Sequence, residues 1–328
     1  MRNKILEILR NAGDTYISGE EIADRLGVSR TAVWKHIKEM RAQGYEIESH
    51  ARSGYSLRVA PDALLAGEIN HGLDTQVIGR QIICHDEIDS TNNEAKRLAR
   101  EGAADGTVVV AESQTGGKGR LERKFFSPKG KGIWFSVILR PKFLPQEAPK
   151  CTLMAAVAVA RAMAEFGLTP GIKWPNDLLY ENKKLVGILT EMSAEMDGIN
   201  YIVIGTGINV NIDSSDFPED IREVATSLSI MKGDRLPRVK FFQAVLRALD
   251  DLYAKVQQQG FAPVLAEWRQ YSITLGQEVK VIGVRDGEVY TGKAVDIDED
   301  GALLVDTETG RQKVLAGDVS IRPRNGKW

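Results

Sequence analysis

The chain has 328 residues, room for two domains of ordinary size and a third small one. Its 43% hydrophobic and 27% charged residues are ordinary globular usage, which excludes collagen-like, wholly disordered and disulfide-scaffold classes. Lys and Arg number 43 against 45 Asp and Glu, a net charge of −2, so any nucleic-acid or membrane function has to be local.

The apolar run Leu153 to Ala160 is far short of the roughly 20 residues a membrane helix needs. From Met1 the chain meets Glu7 and Arg10 before any long apolar segment, so no secretory signal is read there. Cys84 and Cys151 fit neither a disulfide framework nor a Cys-x-x-Cys site. The expectation is a cytoplasmic protein with no membrane partner.

Basic residues gather between Gly27 and Arg58: Arg30, Lys35, Lys38, Arg41, Arg52 and Arg58 against Glu39, Glu46 and Glu48. Ile5, Leu6, Ile8 and Leu9 recur at helical spacing, and Ser18-Gly19-Glu20-Glu21 supplies a cap and acidic first turn for a helix through Leu26. Ser29 caps the next helix, from Arg30 to about Gln43, with Val33, Ile37 and Met40 inward. Ala23, Gly27 and Val33 then stand at the spacing of a helix-turn-helix, with Ser29, Arg30, Thr31 and Lys35 at the front of the second helix for phosphates and base edges. Trp34 reads as a partly buried packing residue rather than a base contact. Alternating residues at 45–48 and 55–58 flank His50, Arg52, Ser53 and Gly54, a hairpin whose tip serves as a wing. The competing reading is a three-helix interaction module with a solvated basic face. Residues 61–80 read as a linker.

From Gln81 to Ser272, short β-rich runs (82–84, 107–111, 133–139, 185–189, 201–204) mix with long helices over about 149–166 and 238–258. Strands follow one another directly, which favours hairpins and an α+β class with a mixed or antiparallel sheet. After Leu275, Arg285-Asp286-Gly287, Asp300-Gly301 and Thr309-Gly310 mark hairpins of a small β-barrel over 273–328.

Residues 114–125, Gln-Thr-Gly-Gly-Lys-Gly-Arg-Leu-Glu-Arg-Lys-Phe, form a glycine-rich loop whose Lys118, Arg120, Arg123 and Lys124 suit phosphate. It is not a Walker A loop, because no Gly-Lys-Ser/Thr follows a four-residue gap. Gly205-Thr206-Gly207 has Val210 where a dinucleotide fingerprint needs its third glycine.

Asp89-Ser90-Thr91-Asn92, this loop, Lys173-Trp174-Pro175-Asn176-Asp177, Lys184-Leu185-x-Gly187-Ile188-Leu189 and Gly205-x-Gly207-Ile208-Asn209 stand in the order found in biotin-protein ligases. With the N-terminal winged helix, the whole chain resembles the bifunctional bacterial biotin-protein ligase and biotin operon repressor family. The loop departs from the family pattern: Lys118 stands for its first arginine, Glu122 for a later glycine and Phe125 for its tryptophan.

The resemblance implies a biotin/lipoyl ligase-like centre over 81–272 and an SH3-like barrel over 273–328, with residues 1–60 binding DNA. It implies two reactions: biotin and ATP give biotinyl-5′-AMP, with Mg²⁺ on the phosphates, and a lysine of a biotin carboxyl carrier protein takes the biotinyl group. Ser90, Thr91, Asn92 and Gln114 would bind biotin, with Lys118, Gly119 and Arg120 closing over its tail. Lys184 would hold the carboxylate and α-phosphate. Arg123, Phe125, Asn176, Asn209 and Arg322, with Lys118 and Arg120, would meet the nucleotide. Lys184, Arg120 and Asp177 would be catalytic, Asp177 as base for the incoming amine. Plainer readings are a turn-capping Asp177 and a solvent-facing hairpin Lys184. Operator DNA, contacted by Ser29, Arg30, Thr31, Lys35 and Arg52, would be held by a homodimer of adenylate-bound copies. Rival functions are a ligand-sensing transcription factor without chemistry and a lipoate or octanoate ligase. His36, His50, His71 and His85 are too scattered for a zinc site, and metal ligands are left unassigned.

Overall fold

The computed structural model describes residues 1–120, 123–195, 198–283, 289–317 and 319–323. Glu122 and the Arg285-Asp286-Gly287 turn lie outside them. The chain divides into two compact units, Met1–Ala63 and Leu64–Trp328.

In the first unit, α1 (Arg2–Asn11), α2 (Gly19–Leu26) and α3 (Arg30–Ala42) bury Ile5, Leu9, Ile22, Val33, Ile37 and Met40 between them. Ser18 Oγ accepts the Glu21 N–H at 3.0 Å and Ser29 Oγ accepts the Ala32 N–H at 3.2 Å. Each such cap stabilises its helix by about 1 kcal/mol. Gly27 ends α2 at φ 64°, which turns the chain into α3. Strands β1 (Glu46–His50) and β2 (Gly54–Val59) pair antiparallel as a wing. At Gly54 (φ 106°) a Cβ would sit 2.0 Å from the Ile17 carbonyl oxygen, so only glycine lets the adjacent Tyr55 bridge to Ile17. This unit is a winged helix-turn-helix. Trp34 departs from expectation: it is 55% exposed, with Lys38 Nζ 5.5 Å from its ring centroid. Val33 and Ile37 already fill the inward face, and Trp34 points about 100° away from Val33.

The second unit begins with packed chain where a linker was expected. Leu64, Ile69 and Ile78 are core residues, and residues 66–70 form α4 (Ala66–Asn70). The Gln243 amide donates to the carbonyls of Ile69 and His71, and Asp250 accepts the N–H groups of Gln76, Val77 and Ile78. These bonds satisfy backbone that weak side-chain periodicity left unassigned.

A seven-stranded sheet follows: β3 (Ile82–His85), β4 (Val108–Ala111), β5 (Gly132–Leu139), β6 (Gly171–Lys173), β7 (Asp177–Tyr180), β8 (Lys183–Glu195) and β9 (Gly198–Asn209). Its order is β3-β4-β5-β9-β8-β7-β6, antiparallel throughout except β3 and β4, which are parallel and joined through α5 (Thr91–Arg100). One face packs on α6 (Lys150–Glu165), α8 (Arg238–Gln259) and α9 (Ala262–Tyr271); α7 (Leu228–Lys232) is a short turn of helix. Helix α6 is buried almost all round, and each of Leu153, Met154, Val157 and Val159 contributes about 1.5–3 kcal/mol by leaving water. The other face of β5, β9 and β8 carries α5 at one end and, beside it, a glycine-lined floor. Strands β10 (Glu278–Gly283), β11 (Val289–Ile297), β12 (Leu303–Thr307), β13 (Gly310–Val314) and β14 (Val319–Pro323) make an antiparallel sheet of order β13-β12-β11-β10-β14. No helix among the described residues is long and apolar enough to cross a membrane.

Candidate active site

Three glycines form the floor. Gly187 on β8 pairs with Gly207 on β9, and Leu189 pairs with Gly205. A Cβ on Gly207 would fall 2.6 Å from the Phe125 ring, one on Gly187 2.7 Å from it, and one on Gly205 1.9 Å from Asn92 Oδ1. The Gly-x-Gly motif is thus a strand stripped of side chains so that others can lie on it.

The described residues of the glycine-rich loop pair with one another above this floor. Lys118 bridges to Lys124, Gly119 N–H donates to the Arg123 carbonyl at 2.7 Å, and Phe125 N–H donates to the Gly117 carbonyl at 2.9 Å. It carries Phe125 over the glycines, where the ring meets Trp134 edge-on at 5.9 Å. Arg120 donates to Asn176 Oδ1 and to the carbonyls of Ala316 and Val319, so the loop is tied to the start of β14.

Two clefts meet there. A narrow one is walled by Ser90, Thr91, Asn92, Gln114 and Lys118 over the glycine floor. Thr91 N–H donates to Gln114 Oε1 at 2.8 Å, Gln114 Nε2 donates to Ser127 Oγ at 3.0 Å, and Lys118 Nζ donates to Asn93 Oδ1. A wide cavity of about 690 Å³ lies beyond, lined by Lys173, Arg123, Lys124 and Arg322 on its charged side and by Phe126, Phe217 and Ile221 on its apolar side. Gly119, Arg120, Phe125, Asn176 and Lys184 line both.

At that junction Lys184 Nζ lies 2.7 Å from Asp177 Oδ1 and 5.7 Å from the Phe125 ring centroid. A two-residue turn places Lys184: Glu181 and Asn182, at φ 47° and 67°, join β7 to β8 as a hairpin. Asp177 and Lys184 therefore stand on adjacent strands. Asn209 and Asn176 are buried and tie backbone: Asn209 Nδ2 donates to the Thr226 carbonyl at 3.0 Å, and Asn176 Nδ2 to the Ile188 carbonyl at 2.9 Å.

The exposed face of α3 is the second candidate surface. Arg30, Thr31, Trp34, Lys35 and Lys38 stand outward, and Arg52 is exposed in the wing turn. Two other cations of this stretch are turned to internal bonds: Arg58 to Glu48 and Tyr16, Arg41 to the Ile47 carbonyl.

A curated relative, the bifunctional ligase/repressor BirA of Bacillus spizizenii, is 44% identical over 98% of both chains. The chain belongs to the BirA family of bifunctional ligase/repressors. The Escherichia coli member is 31% identical over 97% of this chain and 96% of its own. Models of the biotin/lipoate A/B protein ligase family, an HTH domain and the biotin protein ligase C-terminal domain match residues 85–209, 1–56 and 274–322. A solved biotin protein ligase from Aquifex aeolicus, in complex with biotin and ATP, is 33% identical with a TM-score of 0.65, covering 74% of this chain and 99% of its own.

The two clefts bring together the ligand-binding and catalytic residues named from sequence, with Lys118 on the narrow cleft and not the wide one, and add some that had been given no role. Lys173 lines the wide cavity; burial, with Arg322, Lys184 and Arg123 nearby, pulls its pKa below the ordinary lysine value against the pull of Asp177. Its place directly before Trp174-Pro175 was the available signal. Ser136 and Glu191 sit behind the narrow cleft on β5 and β8, and nothing in their local sequence marks them.

Proposed function

We propose that this chain joins biotin to ATP, passes the biotinyl group to a lysine of a carrier protein, and represses transcription when adenylate-bound. The observation that carries this reading is the shared wall: a narrow polar cleft and a wide cationic cavity meet at Lys184, Arg120 and Phe125.

Biotin's ureido end lies in the narrow cleft against Ser90, Thr91, Asn92 and Gln114, with Lys118 and Gly119 over its tail. ATP fills the wide cavity with its phosphates toward Lys173, Arg123 and Arg322. A carboxylate is already ionised and nucleophilic near neutral pH, so the work is to bring two anions together. Lys184 and Arg120 neutralise them at the junction, where a preorganised charge is worth about 10²–10³ in rate. The carboxylate oxygen bonds to the α-phosphorus, the bond to the bridging oxygen breaks, and pyrophosphate leaves. Mg²⁺ carried on the nucleotide phosphates would supply further neutralisation of their charge. In the second step the carrier amine attacks the biotinyl carbonyl and AMP leaves. Asp177 orients the amine and accepts its proton, with Lys184 free to follow the departing phosphate.

Arg30, Thr31, Lys35 and Arg52, with the helix start at Ser29, meet operator DNA, and two adenylate-bound copies present two such helices to paired half-sites. Ligand preference for the paired state appears, by linkage, as biotin-dependent operator affinity. Carrier protein and operator both place the work in the cytoplasm.

Exchange of labelled pyrophosphate into ATP tests the ligase reading. It should depend on biotin and not on lipoate or octanoate; exchange indifferent to biotin overturns it.

A further inference from the structure

Behind the narrow cleft, Thr91 and Asn92 continue into a chain of hydrogen bonds whose further members, Ser136, Glu191 and Lys96, the steps above leave unused. Lys96 Nζ donates to Glu191 Oε1 at 2.7 Å, and Asn92 Nδ2 donates to Glu191 Oε2 at 2.8 Å. Ser136 Oγ lies 2.6 Å from Asn92 Oδ1 and 2.8 Å from Thr91 Oγ1. Thr91, Asn92 and Ser136 are all buried, so their hydrogens are shared among these few partners.

The chemistry of the groups fixes the direction of the protons from Glu191 to Ser136, and distance then favours Ser136 as the acceptor of the Thr91 proton. An ionised carboxylate only accepts, so Asn92 turns its NH₂ to Glu191 and its carbonyl to Ser136. That carbonyl also only accepts, so Ser136 gives it its single hydroxyl proton. Ser136 Oγ then takes the Thr91 proton. Gln114 Oε1, 3.2 Å from Thr91 Oγ1, keeps a second lone pair beside the bond from Thr91 N–H and is the more distant of the two acceptors within the protein; Ser136 Oγ at 2.8 Å is the nearer. With its proton sent backward, Thr91 presents only lone pairs to the cleft.

We propose that Glu191, braced by Lys96, is a positioning residue that makes Thr91 an obligate acceptor for an N–H of a cyclic urea in the narrow cleft. This rests on the biotin reading and deepens it. A ligand offering a carbonyl at that point meets lone pair against lone pair and is rejected. Two features hold the arrangement. Burial pushes the Glu191 carboxyl pKa up, but the bonds from Lys96 and Asn92 outweigh it and keep it below the ordinary carboxylate value. Asn92 Oδ1 lies so close to Gly205 that a Cβ there would be 1.9 Å away, so the floor holds the amide from below.

A glutamine at 191 can donate or accept, so Asn92 can turn over and the Thr91 proton can face the ligand. In pyrophosphate exchange by the full chain, Glu191→Gln should raise the biotin KM about tenfold, with the ATP KM and kcat within about twofold of wild type. Ser136→Ala, a small truncation that interrupts the relay, should do the same. The double variant should be no worse than either alone, the mark of residues acting through one path. Should Glu191→Gln fail to fold, Ser136→Ala decides by the same split. Losses that add in the double variant, or that fall on kcat and the ATP KM alike, overturn the proposal, as does an unchanged biotin KM. Wild-type exchange that ignores biotin instead sinks the functional reading on which it rests.

Discussion

Lys184 Nζ stands 2.7 Å from Asp177 Oδ1, so the cation at the junction of the two clefts is held by an anion before any ligand arrives. In the proposed mechanism the arriving carboxylate and phosphate compete with Asp177 for Lys184, and the carboxylate this frees would be the proton acceptor of the second step. Lys184→Ala should lower adenylate formation by about 10²–10³ while the protein stays folded. Asp177→Asn should leave adenylate formation within about tenfold and slow transfer to the carrier more strongly. Single-turnover measurements of the two steps separate these; equal slowing of both steps by Asp177→Asn contradicts its assignment.

The glycine floor makes a second claim, about which ligand each strand position serves. Gly207→Ala puts a methyl 2.6 Å from the Phe125 ring, and Gly205→Ala puts one 1.9 Å from Asn92 Oδ1. Each should cost about 1–3 kcal/mol of stability as the neighbour shifts. Calorimetric titration should show Gly207→Ala weakening nucleotide binding about tenfold with biotin little changed, and Gly205→Ala the reverse. Equal losses of both ligands in both variants would show that the floor does not divide the two clefts.

Much of this was legible in the sequence, where local pattern and local structure agree. The caps at Ser18 and Ser29, the left-handed Gly27 and the wing over 46–59 follow from residues a few places apart. What was missed depends on distant partners. Residues 61–80 read as a linker because backbone within them is satisfied by Gln243 and Asp250 on a distant helix. The parallel β3–β4 pair falls within the mixed or antiparallel sheet expected from sequence, though no residue pattern marked which strands would form it. Trp34 looked like packing because apolar residues on a helix usually are, and only the filled positions of Val33 and Ile37 show otherwise. The motif residues at the site were readable as a set, whereas Ser136 and Glu191 gain meaning only from the register of β5 and β8 against β9.

Arg238 and Glu112 form an ion pair at 2.8 Å with both side chains nearly sealed from water, and Glu112 also accepts the Leu64 N–H. Arg238→Ala leaves that carboxylate without its cation, which should cost about 3–5 kcal/mol in urea unfolding of the second unit. A loss below about 1 kcal/mol would mean that water reaches the pair.

On α3, Lys35 and Trp34 should fail differently. Lys35→Ala should weaken binding to all DNA sequences and reduce the slope of log affinity against log salt by about 1. Trp34→Ala, which removes exposed apolar surface and no charge, should weaken operator binding while the salt slope stays put. Identical salt slopes for wild type and Lys35→Ala would remove α3 from the phosphate-contacting surface.

The central claim is that positive charge at the meeting of two clefts joins biotin to AMP. Mass spectrometry of the purified protein after incubation with biotin and MgATP tests it most directly. The account predicts biotinyl-5′-AMP bound to the wild-type chain, consumed when carrier protein is added, and, sampled early in the incubation, about 10²–10³ less of it from Lys184→Ala. Abundant biotinyl-5′-AMP from Lys184→Ala, or none from the wild type, would contradict it.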